Sequence, residues 1–134
     1  MFGLLIADEH HYRISRDGAL YIVRLYGYWD EERAWEFLRR FQWLIEISRS
    51  ANWGVLTDLR EWEGGTPKAL KIVGQMESWM ADNGQTAGAH VLNSGVKSKI
   101  LLGLQRRQRE RILFDTFLSM EIALPWLKAK VRHA

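Results

Sequence analysis

The run LYIVRLY, residues 20–26, is apolar on both sides of an extended chain. Side chains alternate across a strand, so Tyr21, Val23 and Leu25 face one way and Leu20, Ile22 and Tyr26 the other. A strand with one wet face alternates apolar and polar residues; this one needs cover on both faces. Arg24 is the exception within it. The stretch therefore calls for a sheet with helices on either side, and the flanking sequence offers them.

Upstream, HYRIS and RDG precede this strand and predict a β-hairpin turning at Asp17-Gly18, a pair suited to positive φ. Downstream, Asp30 is placed to cap a helix, with Glu31 and Glu32 at its positive end. Ala34, Leu38, Phe41, Ile45 and Ser48 recur at helical spacing, broadened by Phe37 and Leu44, and predict a helix to about residue 50. WGVLTDL, residues 53–59, has little alternation, as a central buried strand should. Gly64-Gly65 then predicts a turn, and Thr66-Pro67 a helix start, with a hydroxyl cap and a proline where its missing N–H costs nothing. Ala69, Val73, Met76 and Met80 make the apolar stripe of that helix, and Asn83-Gly84 its stop.

TAGAHVLN reads as a further short strand. VKSKILLGLQRRQRERI follows as an amphipathic helix, with Val96, Ile100, Leu101 and Leu104 on its apolar side. ILFDTF offers a last short strand, and SMEIALPWLKAKV a terminal helix capped by Ser119. Pro125 inside it predicts a kink or a broken first turn. The order implies one α/β domain over residues 1–134, a mixed sheet with an opening hairpin and about four helices.

Charge is unevenly spread. Residues 1–96 carry 10 Lys/Arg and 13 Asp/Glu, whereas residues 97–134 carry 9 and 3. Lys97, Lys99, Arg106, Arg107, Arg109 and Arg111 form a candidate basic surface. It suits an anionic membrane surface, a protein partner or a second copy of the chain; the plainest role for its helix is packing on the sheet. Nucleic acid is disfavoured because no recognition motif accompanies the charge. The absence of cysteine excludes disulfides and thiol catalysis and fits a reducing cytoplasm. The opening MFGLLIADEHH lacks the length and flanks of a signal peptide or membrane span. Most of the seven tryptophans are expected in the core, with a surplus for a pocket or interface.

The residues support no enzyme. Asp58, Glu61 and Glu63 crowd one loop, but a carboxylate at a strand end commonly anchors backbone N–H groups. His10, His11, His90 and His133 fall in no metal-ligand spacing, and adjacent His10 and His11 face opposite sides of a strand. There is no Gly-x-Ser-x-Gly elbow and no phosphate loop, so no metal and no cofactor is expected.

Three stretches, YGYWDEERAWEF, WGVLTDLREWEGGTPKAL and FDTFLSMEIALPWL, resemble the SpoIIAA-like family, a branch of the STAS domains (sulfate transporter and anti-sigma factor antagonist). The resemblance spans nearly the whole chain. It implies a sheet with helices on its faces, no catalytic machinery, and a protein-interaction or regulatory role. It also implies a switch loop holding Asp58 and Thr66, the latter at the position of the family's phosphorylated Ser or Thr. Here Gly64-Gly65-Thr66-Pro67 stands where those proteins carry an Asp-Ser-Ser-Gly-like sequence. SpoIIAA-like proteins resemble lipid carriers in shape, which implies an alternative: carriage or sensing of an apolar, lipid-like ligand. The candidate pocket is then Met76, Met80, Ile100, Leu101, Leu104 and Trp126, under a basic lid that contacts membranes. The expected location is cytoplasmic or peripheral at the inner membrane surface, with a homodimer as one arrangement.

Overall fold

The computed structural model describes residues 3–93 and 110–132. Six strands form the main sheet in the order β1-β2-β3-β5-β7-β8. They are β1 (Leu4–Asp8), β2 (Tyr12–Asp17), β3 (Leu20–Leu25), β5 (Trp53–Asp58), β7 (Gln85–Val91) and β8 (Leu113–Phe117). The first two pairings are antiparallel and the other three parallel, so the sheet is mixed as expected. Two short strands, β4 (Gly27–Trp29) and β6 (Trp62–Gly65), pair in parallel beside it. The described helices are α1 (Glu31–Ser48), α2 (Pro67–Asp82) and α3 (Met120–Arg132). The expected basic helix lies outside the described residues.

β3 has cover on both faces. Tyr21, Val23 and Leu25 join a core with Phe37, Phe41 and Ile45 of α1 and Ile72, Met76 and Met80 of α2. Leu20 and Ile22 join a second core with Leu56, Ala87, Ala89 and Val91 under Met120, Ala123, Leu127 and Val131 of α3. Of the tryptophans, Trp29, Trp53 and Trp62 are buried, whereas Trp35 and Trp43 are exposed on α1. Tyr21 meets both Phe41 and Trp53 edge-on, each at 5.7 Å between ring centres, a favoured aromatic geometry.

Both helix starts follow their caps. Asp30 Oδ1 accepts from Arg33 N at 2.9 Å, and Thr66 Oγ1 accepts from Ala69 N at 3.2 Å. Four local details differ from the sequence reading. The hairpin turn is Gly18-Ala19, one residue later than expected: Asp17 still pairs with Leu20, and only Gly18 has positive φ, at 59°. One such residue at the first central position suits a type II′ turn, whereas Asp-Gly would need two. Gly64-Gly65 is not a turn but part of β6. A Cβ on Gly65 would lie 2.4 Å from the Trp29 carbonyl oxygen, so glycine permits the approach of β6 to β4. β1, unread in the sequence, forms the hairpin edge. Finally, of the kink or broken first turn expected at Pro125, the broken turn is not found: α3 runs through the proline. Pro125 and Glu121 are both exposed, so the carbonyl that loses its donor can be hydrated.

Candidate functional site

Asp58 ends β5 and is 2% exposed. The β3–β5 register places Arg24 directly beside it. Arg24 Nε donates to Asp58 Oδ2 at 3.0 Å. Arg60 Nε donates to Oδ1 and Nη2 to Oδ2, both at 2.9 Å, and the Arg60 backbone N–H donates to Oδ1 at 3.1 Å. Burial pushes the Asp58 pKa up, but the hydrogen bonds from Arg60 and the charges of Arg60 and Arg24 outweigh it, leaving the carboxyl below its ordinary value. The arrangement holds a carboxylate firmly ionised. It does not prepare a proton donor or acceptor for work near neutral pH.

Asp58 and Thr66 are not brought together. By strand alternation Asp58 faces the α3 side with Leu56, where it shares a surface groove with Ile22, Arg24 and Met120. Thr66 caps α2 on the other side of the sheet, and its backbone N–H donates to the Trp29 carbonyl at 2.9 Å. Glu61 and Glu63 are exposed. Among the described residues no group of three or more His, Asp and Glu side chains is placed to hold a metal ion.

A cavity of about 50 Å³ lies between the sheet and the α1/α2 layer. Val23, Val55, Phe37 and Phe41 form apolar walls, with Met76 and Met80 on the α2 side. Its polar groups are Thr57, Trp62, Glu77, Gln85 and His90. His90 Nε2 lies 3.9 Å from Glu77 Oε2, and its ring meets Phe114 edge-on at 4.8 Å. Trp126, expected in the same pocket as the methionines, packs instead on the α3 side against Phe117, 5.3 Å between ring centres. The reason is topological: α2 and α3 cover opposite faces. Ile100, Leu101 and Leu104, like Lys97, Lys99, Arg106, Arg107 and Arg109, lie outside the described residues. Arg111 is described and forms an ion pair with Asp82 at the end of α2.

Sequence reasoning missed Trp62, Glu77, Gln85, His90 and Phe114 as cavity residues. One signal was available: His90 is a polar residue within the apolar run TAGAHVLN, as Arg24 is within LYIVRLY.

No protein-family model matches the chain. No curated protein matches it in sequence either. Solved structures do match in shape. One is an uncharacterised protein of the DUF3478 family with a SpoIIAA-like fold from Shewanella loihica, at 14% identity and TM-score 0.67, covering 91% of this chain and 98% of the other. Another is an anti-sigma factor antagonist from Mycobacterium paratuberculosis, at 15% identity and TM-score 0.59, covering 86% and 91%. Strand order, helix layers and these matches agree that the chain has a STAS/SpoIIAA-like fold.

Proposed function

We propose that the chain is a non-catalytic STAS-like module that works by binding a protein partner. The observation that carries this reading is the state of Asp58, the buried carboxylate at the ends of the central strands. General acid–base work needs a group whose pKa lies near the working pH. Asp58 is held in the opposite direction by two guanidinium groups. The similar chain from Mycobacterium paratuberculosis is, by its name, an antagonist of an anti-sigma factor. Binding another protein is the kind of work assigned here.

Regulation is assigned to Thr66, a half-buried N-cap. A phosphate there would meet the positive end of α2 but would have to displace the cap bond to Ala69. The test is retention of a partner from the native host by wild-type chain and by Thr66→Glu, with mass spectrometry of Thr66 in protein from that host. A partner held by one form and released by the other supports the switch. Equal retention by both forms, with Thr66 never modified, rejects it.

A second reading, carriage or sensing of a small apolar ligand, is favoured by the cavity beside Met76 and Met80. Unbranched thioether side chains adapt to different occupants. On this reading the basic segment from Lys97 to Arg111 acts as a lid that meets anionic lipid at the inner membrane surface. No described helix is long and apolar enough to cross a membrane. Flotation with vesicles containing anionic lipid tests the membrane contact: failure to co-float at low salt removes it.

A further inference from the structure

The outward face of α1 carries side chains that a merely solvated face does not need. Trp43 is 52% exposed, Ile47 61% and Trp35 37%. The buried residues of this helix, Ala34, Phe37, Phe41, Leu44 and Ile45, lie on the other side, so neither tryptophan belongs to the core. Trp43 borders a shallow surface groove whose other walls are Glu32, Glu36, Arg39 and Arg40. Exposed tryptophan beside arginine is the composition that dominates binding between proteins.

Charge is ordered along the helix. Residues 31–38 carry three Glu to one Arg, and residues 39–49 three Arg to one Glu. The helix dipole accounts for Glu31 and Glu32 in the first turn, but its effect fades within that turn and does not reach Glu36, Arg39 or Arg40. Glu32 and Glu36, four residues apart, repel one another. Among the described residues Glu32, Glu36 and Arg39 have no ion-pair partner. Arg40 lies over the Trp43 ring, 5.8 Å from its centre.

Such a face is complementary to itself when turned end for end. A two-fold axis across the helix runs two copies of α1 antiparallel and brings the acidic half of each against the basic half of the other; parallel pairing would set like charges together. With the axis at the level of Leu38, Glu36 lies opposite the partner's Arg40. Trp35 then lies beside the partner's Arg39, where ring and guanidinium can stack.

We propose that the outward face of α1 is an interface between two copies of this chain, packed α1 against α1 in antiparallel fashion. Trp35 and Trp43 anchor it, and Glu36–Arg40 pairs between the copies set its register. This goes beyond the readings above, which concern Thr66, the cavity and its lid. The 18 residues of α1 span about 27 Å, so one helix face per copy makes a small interface and a weak dimer, with a Kd of roughly 10–100 µM.

Sedimentation equilibrium of the full chain, from about 1 to about 300 µM at low salt, tests this. A reversible monomer–dimer equilibrium is expected. Trp43→Ala should weaken it about tenfold or more. Glu36→Arg and Arg40→Glu each set like charges face to face in their own dimers and should weaken it by a similar factor. Both sites are exposed and both replacements are good helix formers, so the fold should survive, which circular dichroism checks. Mixed in equal amounts, the two charge variants restore opposite charges at both contacts. The mixture should dimerise to within about threefold of wild type.

A chain that stays monomeric at about 300 µM would overturn the proposal. A monomer that instead co-floats with anionic vesicles through Trp43 would do so by making the face a membrane contact. A dimer indifferent to both charge reversals would place the contact elsewhere and overturn it as well. A mixture no tighter than its components would refute the antiparallel register, and the proposal with it.

Discussion

Asp58 and Arg24 are each the charged exception in an apolar strand, and the parallel register sets them side by side. Asp58→Ala removes charge-assisted hydrogen bonds and strands no fully buried cation, since Arg24 and Arg60 keep about a third of their side-chain exposure. We expect a loss of about 2 kcal/mol in urea unfolding. Replacing both arginines by methionine strands the carboxylate instead, with only a backbone N–H to hold it, and should cost about 3–5 kcal/mol. The pH dependence follows from the lowered Asp58 pKa. The folded state binds the Asp58 proton less readily than the unfolded chain does, so the stabilisation is complete above the ordinary aspartate value of 3.8. It is lost as pH falls through the folded-state value. The stability gap between wild type and Asp58→Asn should therefore be constant near neutrality and narrow below pH 3.8. A gap that widens in acid would contradict this sign.

At the scale of elements, local chemistry decided how helices begin, and long-range contact decided where small strands form. Asp30 and Thr66 were readable as caps because capping is a bond within one turn. β4 and β6 were not readable: they span three and four residues, contain glycine, and exist because Gly65 reaches the Trp29 carbonyl. Gly65→Ala puts a methyl group against that backbone and should cost about 1–3 kcal/mol, with loss of hydrogen-exchange protection at Thr66 N–H. Normal protection at Thr66 in the variant would show that the β4–β6 ladder tolerates the methyl group. Pro125 makes the converse case. Its site on α3 is exposed and helical, so Pro125→Ala should restore one helix bond and raise stability by about 1–3 kcal/mol. A lower melting temperature for Pro125→Ala would mean that the proline itself packs usefully.

At the scale of the whole molecule, one sheet holds two cores, and each reports on different helices. Leu127 is fully buried between α3 and the sheet. Leu127→Ala should cost about 2–5 kcal/mol, and one cooperative transition by both fluorescence and circular dichroism is expected, because β3 and β5 contribute to both cores. Separate transitions would mean that the two layers unfold independently. The strand and helix periods, the two caps and the two-faced character of LYIVRLY were determined by the sequence alone, since each depends on neighbours within a few residues. Which helix covers which face, the pairing of Arg24 with Asp58, the separation of Trp126 from Met76 and Met80, and the meeting of Trp62, Gln85 and His90 around one cavity were decided only in the tertiary structure. Those contacts join residues from separate elements, and their geometry follows from strand order and crossover direction, which no local pattern encodes.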